Sequence, residues 1–264
     1  MPASPSPRGN VDLIADGLRD AIRMLLHNES DVYEIAWRSV YVSGVATALS
    51  LVLGIGLGAA LAFRRFPGRM VALALVNTGM GLPPVVVGLV IAILLWRSGP
   101  LGSLDWIYTT RAMIIAQTVI ATPVITGFTA ASLSSLHPRL HLQVYALGAS
   151  RTQALWILLQ EVRLPLLAAI MAGFGAAISE VGASVMVGGN VGGQTRVLTG
   201  AILLEQGKGN FGVALALGII LLAMMFAVNA LFTWVQLGAR RDRWRDTHSD
   251  SASATPIASP WLPR

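Results

Sequence analysis

The chain has 264 residues, of which 54% are hydrophobic and 12% charged, with a formal net charge of +6 and no cysteine. A mean hydropathy of +0.65 over this length excludes a soluble globular domain and fits a polytopic membrane protein. The missing thiols exclude disulfides and Cys-ligated metals. The basic residues cluster at the ends of apolar runs, where membrane topology accounts for them without nucleic acid.

Residues 1–10 are rich in Pro and Ser and read as a disordered tail. No basic start leads into an apolar stretch, so no cleaved signal peptide is expected. Val11, Ile14, Leu18, Ile22 and Leu25 then form one apolar stripe, with Asp12, Asp16, Arg19, Asp20 and Arg23 opposite. This pattern predicts an interfacial amphipathic helix within 11–36. Asn28 to Asp31 breaks it, and Asp31 with Glu34 has the form of a capping box opening the next helix.

About five spans follow, each near the ~20 apolar residues a bilayer requires, within a transmembrane domain over 37–238. The first runs from Ser39 to Phe63, anchored by Trp37 and Tyr41, with Gly54, Gly56 and Gly58 expected to admit close helix packing. Arg64, Arg65 and Arg69 flank Pro67-Gly68 in a tight loop before a second span, Met70 to Trp96. The third, Ala112 to Leu133, should kink at Thr122-Pro123. The fourth is Leu164 to Val187 and the fifth Phe211 to Leu237. A basic segment and a Ser-, Ala- and Pro-rich tail, expected to be disordered after Asp246, occupy 239–264.

Between the third and fourth spans lies Tyr145 to Pro165, which carries Arg151, Gln153, Gln160, Glu161 and Arg163. A segment this polar cannot sit in hydrocarbon. Leu147, Ala154, Leu155, Leu158 and Leu159 recur at helical spacing, Gly148 breaks the pattern and Pro165 closes it. The reading is a short helix after a tight bend: either an ordinary amphipathic loop helix or a rigid handle for a soluble partner.

Charge asymmetry sets the orientation. Placing the 64–69 loop, residues 138–163 and Arg240, Arg241, Arg243 and Arg245 on the cytoplasmic side gathers three basic clusters there. Asp12, Asp16, Asp20, Glu29, Asp31, Glu34, Asp105 and Glu205 then fall outside. The N-terminus is thus expected outside and the C-terminus in the cytoplasm.

Two stretches could carry chemistry. Gly79 to Pro84, GMGLPP, puts two glycines and two prolines inside a span and opens its hydrogen-bond ladder. The break would serve either as a packing kink or as a half-helix whose amides, after Pro83 and Pro84, face an anion. Ser179 to Asn190 places Glu180 at the edge of an apolar run. Internal pairing with Ser or backbone donors is the favoured reading, because a bare carboxylate repels an anion. Gly188, Gly189, Gly192 and Gly193 turn the chain back, and Thr195-Arg196 opens Val197 to Leu204, too short to span and read as a re-entrant or external helix. Polar candidates for a translocation path are Thr78, Thr118, Thr122 and Thr126 in the spans, with Asn190, Gln194, Thr195 and Arg196 near the outer mouth. No G-x-x-x-x-G-K-[ST] motif is present. His137 and His141 are separated by Pro138 without an H-E-x-x-H pattern, so neither a P-loop nor a zinc site is expected. No carboxylate pair lies within a span, which argues against a proton-coupled carrier.

Leu147 to Ser150 (LGAS), followed by Leu164-Pro165, resembles the cytoplasmic coupling loop of ABC importer permeases, here over 140–165. Leu142, Gln143 and Val144 stand where that family has Glu-Ala-Ala, and the Gly148 to Pro165 spacing is longer than usual. LPPVVVGLV, SGPLGSL (Ser98 to Leu104), Gln160 to Arg163 (QEVR), and E-x-G-A with GGN and T-R-x-L-T are similar to molybdate and tungstate permeases, the last being the most specific match. The resemblance covers Leu25 to Leu237. It implies an all-α integral membrane protein with the type I ABC importer permease fold, in the cell inner membrane. It also implies a homodimer, a pair of separate ABC ATPase subunits that use the ATP and Mg, an external tungstate-binding protein, and no cofactor on this chain. The ATPase would contact Tyr145, Ala146, Leu147, Gly148, Ala149, Ser150 and Arg151. The implied cargo is a tetrahedral oxyanion, tungstate first. The same machine for molybdate or sulfate is the near alternative, and a secondary anion carrier the distant one.

Overall fold

The computed structural model describes Arg19 and residues 30–64 and 66–253, with the backbone alone at His141 and over 238–253. The expected amphipathic helix of 11–26, Arg19 apart, and the two terminal tails, 1–10 and 254–264, lie outside the described residues. Every regular element described is helical. In chain order these are α1 (Ser30–Phe63), α2 (Arg69–Met80), α3 (Pro84–Leu95), a 3-10 turn (Gly102–Leu104), α4 (Thr110–Ser134), α5 (Pro138–Ala146), α6 (Arg151–Glu161), α7 (Arg163–Ile178), α8 (Gly182–Gly188), α9 (Leu198–Gly207) and α10 (Phe211–Ser253).

Among the described residues three stretches are long and apolar enough to cross a membrane: Asp31–Phe63, Thr110–Ser134 and Phe211–Leu237. The first and third expected spans are close to α1 and α4, and the fifth has the bounds of the apolar part of α10. The second is not one helix. α2 and α3 meet at 102°, because Gly81 ends α2 and Pro83-Pro84, lacking amide protons, can only start a new helix. The fourth is interrupted too: α7 stops at Ile178, and α8 resumes at Gly182. Five spans are reached only if two bent pairs, α2–α3 and α6–α7 (78°), each count as one crossing.

The core is built on α1 and α4, which pack over much of their length. Gly54 and Gly58 make this possible. A Cβ on Gly54 would lie 2.7 Å from Ile125 Cγ2, and one on Gly58 would lie 2.6 Å from Thr129 Cβ. Gly56, expected to do the same, points away and meets nothing within 4 Å. Pro123 stays inside a continuous α4, and Gly79 of α2 packs on its ring.

The two ends of the bundle have different characters. At one end Ala59, Leu133, Leu158, Val162 and Leu166 form a buried cluster, joined by Phe63 and Leu140. The 64–69 loop is tied here by the Arg69 Nε–H bond to the Leu61 carbonyl (2.8 Å). At the other end Val32 packs with Leu198, Ala201, Ala216, Leu217 and Ile220, joining α1, α9 and the start of α10. The Glu205 carboxylate accepts from Asn210 Nδ2 and Lys208 Nζ, closing the turn into α10. Chiefly the Asn210 bond, with help from Lys208, holds its pKa below the ordinary carboxylate range.

Three local expectations change. Asp31 sits within the first turn of α1 rather than capping it, and the Glu34 carboxylate turns forward to Arg38 in an i,i+4 pair. Pro165 does not close α6: Val162 does, and Pro165 lies in the first turn of α7, where no amide donor is needed. α10 remains helical through Ser253, past Asp246.

Candidate functional site

The breaks in α2–α3 and α7–α8 face each other across one cavity of about 370 Å³. Its wall takes Gly79 to Pro84 and Val87 from the first break, Ala176, Ser179 and Glu180 from the second, and Val119, Ile120 and Val124 from α4. The two half-helices beyond the breaks lie in backbone contact. A Cβ on Gly88 of α3 would fall 2.5 Å from Ala183 Cα of α8, and one on Gly182 would strike Val85 at 2.6 Å. Bulk at either glycine would force these half-helices apart.

Glu180 is 7% exposed. Its Oε1 accepts the Ala183 amide at 2.7 Å, so the carboxylate satisfies the first turn of α8, and its main-chain carbonyl accepts the Thr199 hydroxyl at 3.2 Å. This is the internal pairing anticipated from charge, now with named donors. The amides after Pro84 are less available than expected: those of Val86 and Val87 bond back to the Pro83 carbonyl at 2.9 and 3.3 Å.

The other polar candidates fall into separate places. Pro83 and Pro84 line the cavity, while Thr78 is exposed on the last turn of α2. Thr118, Thr122 and Thr126 each donate to the carbonyl one turn back in α4, at 2.7, 2.7 and 2.8 Å. Thr118 and Thr126 are buried, and Ser50 of α1 donates to the Thr118 carbonyl at 3.0 Å. Thr118 thus fastens α4 to α1, and none of the three threonines lines the cavity.

Asn190, Gln194, Thr195 and Arg196 gather in the loop after α8. Gly189 and Asn190 both take positive φ, 72° and 52°, which turns the chain back. The Asn190 amide donates to the Gly200 carbonyl at 2.8 Å. The buried Thr195 hydroxyl donates to Gly188 and accepts the Val191 amide. Gln194 is exposed. Arg196 reaches the Asn190 carbonyl at 3.4 Å, while its Nε and the Asn190 Oδ1 are buried without a partner. The loop is clamped from α1. Arg38 donates to the carbonyls of Arg196 (3.1 Å) and Gly193 (2.9 Å), and Ser39 Oγ accepts the Leu198 amide at 2.8 Å. Sequence reasoning missed Arg38, although a cation on an apolar helix was a signal.

It also missed Gln117. This side chain is 2% exposed, and its Nε2 donates to Ser184 Oγ, also 2% exposed, at 3.2 Å. Its Oε1 has no partner, an omission worth about 1–3 kcal/mol in an apolar setting.

The 138–161 stretch forms two helices joined at a corner. Gly148 takes φ +81°, and Ser150 caps α6, its hydroxyl accepting the Gln153 amide while Gln153 Oε1 accepts the Ser150 amide. Ala154 and Leu158 are buried. Leu147, expected on the same stripe, is instead 88% exposed, because the turn at Gly148 rotates it off that face. Leu142, Tyr145, Trp156 and Ile157 are exposed beside it. The six residues from Tyr145 to Ser150 and Arg151 stand together on this corner, Ala149 alone being half-buried. The described residues contain no group of three or more His, Cys, Asp or Glu side chains that could hold a metal.

With this geometry in place, comparison with known proteins identifies the machine. Residues 51–241 match the family described as binding-protein-dependent transport system inner membrane component. A probable anion ABC transporter permease protein of Haloferax volcanii is 43% identical over 211 residues, covering 78% of this chain and 88% of that one. The tungstate uptake system permease protein TupB of Peptoclostridium acidaminophilum is 36% identical over 226 residues, covering 86% and 99%. A solved chain of the MetNI methionine ABC transporter, in an inward-facing conformation, superposes with a TM-score of 0.63 at 19% identity, covering 79% of this chain and 96% of that one. The fold is that of type I ABC importer permeases, and the chain belongs to the binding-protein-dependent transport system inner membrane component family, as a multi-pass ABC permease subunit and not an enzyme.

Proposed function

We propose that this chain forms the membrane path of an ATP-driven importer for a tetrahedral oxyanion, and that the oxyanion is tungstate. The observation that carries the reading is the similarity to a permease named for tungstate uptake along nearly its whole length. A doubly charged anion cannot cross hydrocarbon unaided. The chain supplies a route with few fixed charges, which lets an ion pass without being trapped.

Two copies enclose the path, a pair of ATPase subunits docks beneath, and an external binding protein delivers the anion. The ATPase contacts the corner formed by Tyr145, Ala146, Leu147, Gly148, Ala149, Ser150 and Arg151, where the apolar side chains of Tyr145 and Leu147 are exposed. Positive-inside logic puts this end in the cytoplasm together with the 64–69 loop. The loop carrying Asn190, Gln194, Thr195 and Arg196 then faces outward, with the Arg196 and Arg38 guanidiniums drawing the anion to the mouth. Between the two ends, Thr78, Pro83, Pro84 and Glu180 border the cavity or its approach. Thr118, Thr122 and Thr126 act in helix packing.

Hydroxyl and amide donors cannot separate tungstate from molybdate, which match in charge and shape. Selectivity therefore resides in the external protein. The test reconstitutes the permease in proteoliposomes with its ATPase and, in parallel, a tungstate-binding or a docking-competent molybdate-binding protein. Uptake of whichever oxyanion is delivered supports the reading. Docking and ATP hydrolysis without molybdate uptake would move selectivity into the permease, and no oxyanion uptake with either protein would refute the function.

A further inference from the structure

The seam between α4 and α8 packs between the cavity and the loop after α8, which faces outward in the importer reading. On the cavity side Ile120 and Val124 of α4 share the space with Glu180. At the mouth side a Cβ on Gly188 would lie 2.7 Å from Met113 Sδ, and the Tyr108 amide donates to the Val187 carbonyl at 2.8 Å. The Gln117–Ser184 bond lies between these two levels. From Met113–Gly188 to Gln117–Ser184 the contacts step by four residues on each helix, about one turn or ~5.4 Å.

Around the pair the seam is apolar: Val87, Ile91, Met113, Ala116, Ala183 and Val187 form one buried cluster. The amide is imperfectly met there. As placed, Oε1 has no partner. Rotating the amide by half a turn would let the Ser184 hydroxyl donate to the oxygen and leave Nε2 unmet instead. While the seam is closed the amide makes one hydrogen bond and leaves its other polar atom unmet, so half of its bonding capacity is unused there. Its advantage lies in the open state.

We propose that Gln117 and Ser184 are the oxyanion's hydrogen-bonding step between mouth and cavity, exposed when α4 and α8 part. Together they offer the two amide protons and one hydroxyl proton to a tetrahedral anion. Both are neutral, so the ion is recognised without the tight hold a cation would impose. This rests on the oxyanion-importer reading and assigns the residues that act within it.

The experiment measures maximal tungstate uptake at saturating loaded binding protein, alongside ATP hydrolysis, per assembled complex in proteoliposomes. Gln117→Met and Ser184→Ala are compared with the unaltered chain. Each is expected to lower uptake about tenfold, ~1.4 kcal/mol in the barrier, while binding-protein-stimulated hydrolysis stays within about twofold. Gln117→Glu, of equal size but negative, should lose more. Ser184→Ala removes only one atom, which keeps the test valid if Gln117→Met assembles poorly. Unchanged uptake in either assembled variant overturns the proposal, as does equal loss of uptake and hydrolysis, which would mark a structural seal. Absence of oxyanion uptake by the unaltered complex refutes the importer reading itself.

Discussion

Placing a methyl group at Gly58 tests the packing that joins α1 to α4. The new Cβ would lie 2.6 Å from Thr129 Cβ and 2.9 Å from the Thr126 carbonyl oxygen. Ordinary contact begins near 3.4 Å, so the helices must separate by about 0.8 Å at this level, and neither obstacle can be rotated away. Overpacking of this kind costs about 1–3 kcal/mol, against a gain of about 1 kcal/mol from replacing glycine in a helix. Gly58→Ala should therefore destabilise by up to about 2 kcal/mol, whereas Gly56→Ala, which meets nothing within 4 Å, should be stabilising by up to about 1 kcal/mol. Denaturant unfolding of the purified chain in detergent micelles, followed by circular dichroism, reads the difference. Adding Thr129→Ala should not rescue Gly58→Ala, since Thr129 Cβ and the Thr126 carbonyl remain. If Gly56→Ala and Gly58→Ala unfold at the same denaturant concentration, the assigned faces of α1 are wrong.

Removing the cap with Ser150→Ala should cost α6 about 1 kcal/mol, seen as roughly fivefold faster exchange of the amides at Gln153 and Ala154. Unchanged exchange would show that the capping box is dispensable. Gly148→Trp meets no atom within 4 Å of its Cβ position and strains only the φ +81° corner, so it should still insert yet uncouple ATP hydrolysis from uptake, and normal uptake would place docking elsewhere. Arg38→Met should release the 193–198 loop, with amide exchange there rising at least about tenfold for the loss of two charge-assisted bonds. An unaltered exchange pattern would mean that Ser39 suffices. The native chain lacks cysteine, so Cys at Pro67 or Arg241 should resist an impermeant thiol reagent in intact cells, and Cys at Ser103 or Gly192 should react. Labelling at Pro67 from outside would reverse the orientation.

Much of the fold was legible because covalent chemistry enforces it. Pro83-Pro84 interrupts a helix in any surroundings, and Gly148 announces a corner, whereas the Ser150 cap emerged only with the structure. The 102° bend was not legible: local sequence says that a ladder is interrupted, while the angle is fixed by what each half packs against. The same limit separates Gly56 from its neighbours, since three glycines at alternating positions look alike until the partner helix is placed. The threonine row of α4 resembled a pathway because periodicity shows a shared face but not what covers it. Gln117 was passed over for the opposite reason: as a single amide in an apolar run it matched no motif, and its meaning depends on Ser184, distant in sequence.

α1 has a mechanical consequence. Its 34 residues make a rod of about 50 Å at ~1.5 Å per residue. One end is seated through Ala59 and Phe63 against Leu158 and Val162, and the other is bolted through Arg38 and Ser39 to the loop before α9. Such a rod converts rotation into displacement: pivoting by about 10° at its middle carries each end ~4 Å in opposite directions. If the α5–α6 corner receives the force of a docked ATPase, as proposed, leverage along this single helix would carry it to the far loop without a relay of successive side-chain contacts.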